Sequence, residues 1–396
     1  MNNDIRVPGF LANGISCGIK DDGKKDLSLI FSETPAEAAA VFTTNIFRAA
    51  PVIVAEERVR KGKIQAIIAN SGNANAATGA QGHRDACAVT GKLAKYLNID
   101  ESMIVPASTG IIGEPLPVDR IIGGIGTLAD GLKPDGIESA EEAILTTDTF
   151  PKIAQRTFTA GGRDVRVCGI AKGAGMIEPD MATMLSFIMT DMAIGRSELE
   201  KTFRKAVDAS FNAISVDGCM STNDCVVIMA NGHAENRLPR EGTRDVRAFF
   251  ENLLAVTDSL SRSIVQDGEG ATKVITITVE GARTKREARK LAGAIANSNL
   301  VKTAFFGGDP NWGRIVSAAG AAGVQLIPEA LELFFEEVLL FEKGMGVQPD
   351  RGRIREIMQR DAINVRVNLG MGNKSFRMYT SDLSYEYVKI NALYHS

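Results

Sequence analysis

The protein has 396 residues and a formal net charge of −3 at pH 7; 44% of its residues are hydrophobic and 23% are charged. This composition is typical of a globular protein with a substantial core and enough chain for two or three domains. The sequence shows no basic stripe for nucleic acid, no apolar run long enough to span a membrane and no apolar core of a secretory signal, so we expect neither nucleic-acid nor membrane partners.

The cysteines indicate a reducing compartment. They are scattered, odd in number and never spaced C-x-x-C: Cys17, Cys87, Cys168, Cys219 and Cys225. Disulfide frameworks and zinc ribbons need paired cysteines, so we expect a reduced protein of the cytoplasm. The three histidines make a multi-histidine metal site an unfavourable interpretation.

Short apolar runs alternate with Gly, Asn and Ala stretches through the first 130 residues. Strands are predicted at 27–33 (LSLIFSE), 50–57 (APVIVAEE), 64–70 (IQAIIAN) and 164–170 (DVRVCGI). A helix-forming stretch, LADGLKPDGIESAEEAIL, lies between the third and fourth of these, with a helix cap near Ser139.

The second half alternates amphipathic helices and strands. RSELEKTFRKAVDASFNAIS has a capping box from Ser197 to Glu200, and one helical face carries Leu199, Phe203, Val207 and Phe211. Further elements are a helix in TRDVRAFFENLLAVTDSL, a strand in KVITITVEG, a helix in KREARKLAGAIANS and a hairpin with a glycine-rich turn in INVRVNLGMGNKSFRMYTSD. The pattern predicts a mixed α/β fold.

Three local motifs are better explained by structure than by chemistry. GISCG at 14–18 matches a nucleophile elbow only formally, since proline and glycine precede it where a strand should stand. GIGTLA at 124–129 has no strand before it, and a closely packed helix N-terminus explains it better than a dinucleotide site. VDGCMSTND at 216–224 lacks the EF-hand spacing, and we expect a loop whose polar side chains bond to its own backbone.

Four polar turns end strands or helices and suggest a common site. They are NSGNANAATG at 70–79, PASTGIIG at 106–113, TTDT at 146–149 and DGEGATK at 267–273. A single turn of this kind is usually only a turn. Four in one chain favour polar groups that converge on one place.

The stretch KGAGMIEPDMATMLSF at 172–187 places Thr183 after a small residue, where an apolar strand begins. On pattern alone, Thr183 is a β-branched residue that starts a buried strand. The chemical alternative is self-cleavage. The Thr183 oxygen attacks the Ala182 carbonyl, the acyl group moves from nitrogen to oxygen, and water cleaves the ester. The freed amine is then a base suited to neutral pH, and Thr109 with Gly110 could supply oxyanion donors.

Seven motifs in order resemble the glutamate N-acetyltransferase/ornithine acetyltransferase family, an arginine-biosynthesis bifunctional enzyme. They are NSGNANAATG, STGIIG, TTDT, KGAGMIEPDMATML, VDGCMSTNDCV, DGEGATK and GDPNWGRI. The resemblance implies an α/β layered sandwich with two central sheets flanked by helices, similar to N-terminal-nucleophile hydrolases but differently connected. It also implies cleavage between Ala182 and Thr183, giving an alpha chain (1–182) with the oxyanion-hole and substrate-binding part and a beta chain (183–396), assembled as an α2β2 heterotetramer.

The resemblance assigns Thr183 as nucleophile and Thr109 and Gly110 as oxyanion donors. Substrate-binding positions carried over by motif are Thr146, Lys172, Thr183, Glu269, Asn391 and Ser396. The implied reaction is ping-pong: acetyl passes from N2-acetyl-L-ornithine to Thr183 and then to L-glutamate, with no metal or organic cofactor. The resemblance leaves open whether acetyl-CoA is also a donor.

The chain departs from the family pattern at Ala174, Asp180 and Cys219, and it ends in serine where threonine is frequent. Asp180 lies three residues before Thr183, so its charge is expected to slow self-cleavage or change its pH optimum. Two other interpretations remain open at this point. One is a self-processing amidohydrolase or aminopeptidase of related architecture; the other is an amino-acid-binding protein that never matures.

Overall fold

The computed structural model describes residues 5–178 and 184–393. Its strands are β1 Phe10–Ile15, β2 Leu27–Phe42, β3 Ile64–Asn73, β4 Ile104–Ile111, β5 Lys152–Ala160, β6 Arg163–Lys172, β7 Leu185–Thr190, β8 Ile214–Ser215, β9 Cys225–Ala230, β10 Val274–Ala282, β11 Glu332–Phe335, β12 Val338–Glu342, β13 Met345–Gly346, β14 Ala362–Asn368 and β15 Lys374–Ser381. Its helices are α1 Ala50–Lys61, α2 Gly79–Leu97, α3 Val118–Asp130, α4 Ile137–Glu142, α5 Arg196–Ala209, α6 Arg244–Gln266, α7 Lys285–Ala296, α8 Asn299–Phe306, α9 Trp312–Ala321, α10 Arg351–Met358 and α11 Tyr385–Leu393.

Within these ranges the strands form two mixed sheets. The first has the order β4-β3-β2-β9-β7-β6-β5, with β1 paired to β2. The second has the order β13-β12-β11-β14-β10-β15-β8. In the first sheet β3 and β4 are parallel, as are β7 and β9, while β7 runs antiparallel to β6. Two central sheets flanked by helices are the architecture that was predicted.

Helices cover the sheets because strand side chains alternate between faces. On β7, Phe187 packs in a cluster with Ile137 of α4, whereas its neighbour Ile188 packs with Phe203 of α5 and residues of α6. The cluster around α6 also includes Val274 of the second sheet, so α6 lies between the two sheets. Each fully buried side chain of this size stabilises the fold by roughly 1.5–3 kcal/mol.

The strand predicted at 50–57 is wrong, because this segment forms the first two turns of α1. Pro51 stands in the first turn, where a helix tolerates proline. Val52, Ala55 and Val59 are buried at spacings of three and four, which place them on one helical face. A short apolar run does not distinguish a strand from a buried helix.

The predicted C-terminal hairpin is also wrong in its pairing. Both of its strands form, but β10 lies between them, parallel to β14 and antiparallel to β15. Alternation shows which face of a strand is buried and does not identify its neighbour.

Two predicted helix starts are wrong as well. Ser139 lies inside α4, where its hydroxyl accepts the N–H of Gly14 and donates to the Gly14 carbonyl. Helix α5 begins at Arg196, so Ser197 is already helical and the predicted capping box does not form. The predicted apolar face is correct, since Leu199, Phe203 and Val207 of α5 are buried.

The sequence predicts that the glycine-rich segment 124–129 forms a helix N-terminus, and this is wrong. The segment lies inside α3. A Cβ on Gly124 would lie 3.0 Å from the Cβ of Cys17, so close packing against the β1–β2 connection explains the glycine. Strand β1 does precede GISCG, so the expectation that no strand stands there is wrong. The next element is β2 and not a helix, so the rejection of a nucleophile elbow still holds. In the described part of the chain, no helix has both the length and the apolarity needed to cross a membrane.

Candidate active site

The four stretches predicted as polar turns meet at one cleft with a volume of about 100 Å³. The prediction of a turn is wrong for most of 106–113, because 106–111 lies within β4, and wrong for the start of 70–79, because 70–73 lies within β3. Each stretch contributes to its lining: Ala74, Thr109, Thr146 and Glu269 come from the four in chain order. A larger depression, about 650 Å³, lies between β2, α1 and α5. Three of its arginines pair with glutamates there, and it brings none of the four turns together. We therefore identify the candidate site by the polar groups that meet there and not by the volume of the cavity.

Thr109 and Gly110 lie near the end of β4, paired in parallel with Ser71 and Gly72 of β3. Gly110 has φ +135, and a Cβ there would lie 2.3 Å from the carbonyl carbon of Gly72. Both the backbone conformation and the close approach of β3 require glycine at this position. The strand pair thus holds a buried hydroxyl and a peptide unit in fixed positions at the cleft.

Lys172 ends β6 with its side chain 3% exposed. Its Nζ donates to the Thr146 hydroxyl at 2.7 Å and to the Thr109 hydroxyl at 3.4 Å, and it lies 3.8 Å from Oδ2 of Asp148. Burial lowers the pKa of Lys172, and the Asp148 charge opposes this shift. An ammonium held between two hydroxyls and a carboxylate is suited to binding a carboxylate ligand.

Lys172 belongs to a buried row of alternating basic and acidic side chains. Asp148 accepts the N–H groups of Gly173 and Thr146 and forms an ion pair with Lys152, which in turn pairs with Asp267 at the end of α6. Burial alone would raise the pKa of Asp148, but Lys172 and Lys152 outweigh it and hold the pKa well below the usual value. These pairs fix the TTDT and DGEG turns relative to β6.

Glu269 and Asn391 also line the cleft. The Asn391 amide donates to Oε2 of Glu269 at 2.8 Å, and the Glu269 N–H donates to the Ala174 carbonyl at 2.9 Å. A Cβ on Gly175 would lie 2.6 Å from the Glu269 carboxyl, so glycine leaves the space that this side chain fills. The cleft therefore contains both a lysine ammonium and a glutamate carboxylate.

Two aspartates of the 216–224 loop hold the chain on either side of residue 183. Asp217 accepts the N–H groups of Met176 and Ile177 at 2.6 and 2.8 Å. Asp224 accepts the N–H of Met184 at 2.7 Å. The next residue, Leu185, pairs with Lys172 across β6 and β7. The residue directly after position 183 is therefore held by a buried carboxylate.

Several predicted site residues lie outside the described ranges. These are Asp180, Ala182 and Thr183 at the junction and Ser396 at the end of the chain. The structure brings together the predicted residues that it does describe: Thr109, Gly110, Thr146, Lys172, Glu269 and Asn391. Within 5–178 and 184–393, no three His, Cys, Asp or Glu side chains are grouped so that they could hold a metal ion.

Sequence reasoning missed the role of the 216–224 loop. It does bond to its own backbone, as expected, since Asp217 accepts the Cys219 N–H. However, the Asn223 amide also donates to the carbonyls of Ala74 and Ser108 at 2.6 and 2.8 Å, which joins two of the polar turns. The sequence feature that could have predicted this role is the high proportion of Asp and Asn in a loop directly before a fully apolar strand.

The chain is similar to several known proteins. The chain is 48% identical over 393 residues, 99% of it and 100% of the relative, to the arginine biosynthesis bifunctional protein ArgJ of Geobacter sulfurreducens. It is 45% identical over 401 residues, 100% of it and 99% of the relative, to the protein of the same name from Caldanaerobacter subterraneus. A crystal structure of arginine biosynthesis bifunctional protein argJ from Bacillus halodurans matches with a TM-score of 0.52 and 37% identity, covering 54% of this chain and 100% of that chain. The ArgJ family model matches residues 11–396. The protein therefore belongs to the ArgJ family of bifunctional arginine-biosynthesis enzymes.

Proposed function

We propose that the protein cleaves itself before Thr183 and then transfers acetyl from N2-acetyl-L-ornithine to L-glutamate through an acetyl-Thr183 intermediate. The observation that carries this proposal is the meeting of Lys172, Thr109, Gly110 and Glu269 at one cleft. Leu185, two residues after Thr183 in the chain, pairs with Lys172 of that cleft. The cleft thus combines groups suited to binding charge with groups suited to stabilising an oxyanion.

Self-cleavage is supported by anchoring on both sides of the proposed cut. Asp217 holds residues 176 and 177, and Asp224 holds residue 184, so the intervening segment is tethered at both ends. The solved Bacillus halodurans chain is matched over its whole length by 54% of this chain. The same fraction of this chain lies from position 183 onward. We infer an alpha chain of 1–182 and a beta chain of 183–396.

In the mature enzyme the α-amine of Thr183 would accept the hydroxyl proton as the oxygen attacks the acetyl carbonyl. The Thr109 hydroxyl and the Gly110 N–H would stabilise the oxyanion that develops. Lys172 lies within 3.4 Å of the Thr109 hydroxyl and strengthens it as a donor by withdrawing its electron density. Ornithine then leaves, and the α-amine of glutamate takes the acetyl group.

Substrate recognition would depend on the two charged side chains of the cleft, Lys172 and Glu269. Lys172, held by Thr146, would bind the α-carboxylate that both substrates share. Glu269, held by Asn391, would bind the side-chain ammonium of ornithine. Ser396 completes this group in the proposal. Whether acetyl-CoA also donates acetyl depends on whether the cleft admits a thioester in place of acetylornithine.

We further propose an α2β2 assembly in the cytoplasm. The described cysteines are all unpaired thiols, which fits a reducing compartment. Light scattering measures the mass of the purified enzyme in solution, and denaturing gels show which chains it contains. A mass of two full-length equivalents that resolves into two unequal bands supports α2β2, and a mass of one equivalent contradicts it.

Two variants test the proposed function. Thr183→Ser keeps a hydroxyl, so it should still split and still transfer acetyl, whereas Thr183→Ala should do neither. Denaturing gels follow the split, and acetylglutamate formed from acetylornithine and glutamate follows transfer. Free acetate released without any need for glutamate would indicate the amidohydrolase alternative. A wild-type protein that stays one band near 42.3 kDa would contradict the proposal.

A further inference from the structure

The candidate active site has an apolar part that has no role in the proposed function. Among the described residues that line the cleft, Ala74, Ile112 and Met176 have apolar side chains. Apart from two glycines, the other described lining residues carry hydroxyl, amide or charged groups. An apolar surface inside a polar cleft is suited to an apolar part of the ligand.

Ala74 and Ile112 lie beside the proposed oxyanion donors. Ile112 follows Gly110 by two residues in the chain. The Ala74 N–H donates to the carbonyl of Ile111 at 2.9 Å, so Ala74 lies across from the same segment at the ends of β3 and β4. Both apolar side chains therefore neighbour the Thr109–Gly110 unit along the chain or across the strand pair.

Met176 neighbours a different group of the cleft. It follows Gly175 in the chain, and a Cβ on Gly175 would lie 2.6 Å from the Glu269 carboxyl. We therefore associate Met176 with the proposed ammonium-binding carboxylate, and Ala74 and Ile112 with the oxyanion donors.

The wall formed by Ala74 and Ile112 is backed by packed residues. Ala74 belongs to a small core cluster with Ala49, Val52 and Ala76, and Ile112 packs against that cluster. Each of these cluster members is buried, and Val52 belongs to α1. Because protein interiors are close-packed, the wall cannot move back to admit a larger group without strain.

We propose that Ala74 and Ile112 receive the methyl group of acetyl and make the enzyme selective for acetyl over longer acyl groups. This inference rests on the proposed acetyl transfer, in which the Thr109 hydroxyl and the Gly110 N–H bind the acetyl oxygen. The methyl carbon is two bonds from that oxygen, so it contacts side chains that neighbour those donors. One more methylene would press against the packed wall, and apolar pockets discriminate against such a change by about 10- to 200-fold.

The experiment compares two acyl donors on the same protein. We would measure kcat/KM for N2-acetyl-L-ornithine and for N2-propionyl-L-ornithine, each with glutamate as acceptor, on protein that denaturing gels show to be fully cleaved. The wild type should prefer the acetyl donor by at least about 10-fold. Ile112→Ala shortens the side chain that limits the space, so this preference should fall by about 10-fold or more. Because the ratio compares two donors on one protein, a general loss of activity cancels.

Ile111→Ala is the matched control. Ile111 is the neighbouring isoleucine, is 36% exposed and is not among the described residues that line the cleft, so its alanine variant should keep the wild-type preference. Ile112→Val shortens the side chain less and should lower the preference by a smaller factor. It is the second variant to assay if Ile112→Ala does not fold or does not cleave itself.

A wild type that uses both donors equally well overturns the inference. An unchanged preference in Ile112→Ala, or in Ile112→Val if only that variant can be assayed, also overturns it. So does an Ile111→Ala whose preference falls as far as that of Ile112→Ala, because the effect would then not be local to the wall. These results leave acetyl transfer itself intact, whereas a wild type that forms no acetylglutamate from acetylornithine contradicts the proposed function and the inference together.

Discussion

At the scale of single residues, the site depends on groups whose positions are fixed by backbone bonds. Asp148, Asp217 and Asp224 each accept at least one backbone N–H, and together they fix β6, the segment before the proposed cut and the residue after it. Charge-assisted bonds of this kind are roughly twice as strong as neutral ones. The reacting groups can therefore be preorganised without being part of a rigid helix.

Thr109 offers a direct test of the oxyanion role. Thr109→Ala should lower kcat about 100- to 1,000-fold, because one donor to the developing oxyanion is lost. Thr109→Ser keeps the hydroxyl and should stay within a few-fold of wild type. The measurement is steady-state transfer from acetylornithine to glutamate on fully cleaved protein. Equal activity of the alanine and serine variants would remove the Thr109 hydroxyl from the mechanism.

Which of these residues matter was only partly predictable. Thr183 could be proposed from the sequence because its chemistry depends on its own backbone nitrogen. Lys172 and Glu269 could be proposed because they lie in motifs that resemble those of the family. Asp224 could not, since nothing in STNDC tells which backbone N–H its carboxyl will accept. That bond exists only because β9 pairs with β7, a contact between segments distant in sequence.

At the scale of elements, the short helix α4 carries an unusual buried acid. Glu141 is 0% exposed, its Oε1 accepts the Lys152 N–H at 2.7 Å, and its Oε2 has no partner within the described residues. Burial raises its pKa to about 8, although the Lys152 N–H and charge act against that shift. The helix thus contacts the charge network of the site through a neutral carboxyl.

Stability should therefore depend on pH through Glu141. The folded state binds a proton that the unfolded state releases between the usual pKa and about 8, so stability falls as pH rises through that window. Glu141→Gln mimics the neutral form and should be more stable than wild type at pH 8.5 by at least about 1 kcal/mol, with little difference at pH 4.5. Urea unfolding at the two pH values measures this. The control is Glu142→Gln, which removes a surface pair with Lys25 and should change neither the stability nor its slope by much.

Element types were predicted better than their partners. The periodic helices α5, α6 and α7 and the alternating strand β10 were correct, because one buried face leaves a clear repeat. Residues 50–57 were assigned to the wrong type because a short apolar run fits both. The predicted hairpin was wrong because β14 and β15 each pair with β10. The local sequence of two strands does not show that a third strand lies between them.

At the scale of the whole molecule, the first sheet contains strands from both sides of the proposed cut. Strands before position 183 pair with strands after it twice: β6 with β7, and β2 with β9. Phe187 and Val227 from the second part share a core cluster with Ile30 and Ile67 from the first. The two chains produced by cleavage would therefore form one folded unit.

The cleaved protein should behave as a single particle. The two chains should coelute in gel filtration and unfold in one transition, because separating them would break both strand ladders and expose the shared core. Thr183→Ala, the uncleaved form, should elute at the same volume and serves as the control. Separate elution of the two chains under native conditions would contradict the shared sheet.

The central claim is that Thr183 carries the acetyl group after its own nitrogen has been freed. The most direct measurement is to mix purified enzyme with acetylornithine alone, quench with acid and determine the mass of each chain and its peptides. The account predicts a beta chain that begins at Thr183 and is heavier by one acetyl group, located on that threonine, which returns to its original mass once glutamate is added. A single uncut chain, or a beta chain whose first threonine stays unmodified while acetylglutamate accumulates, would contradict it.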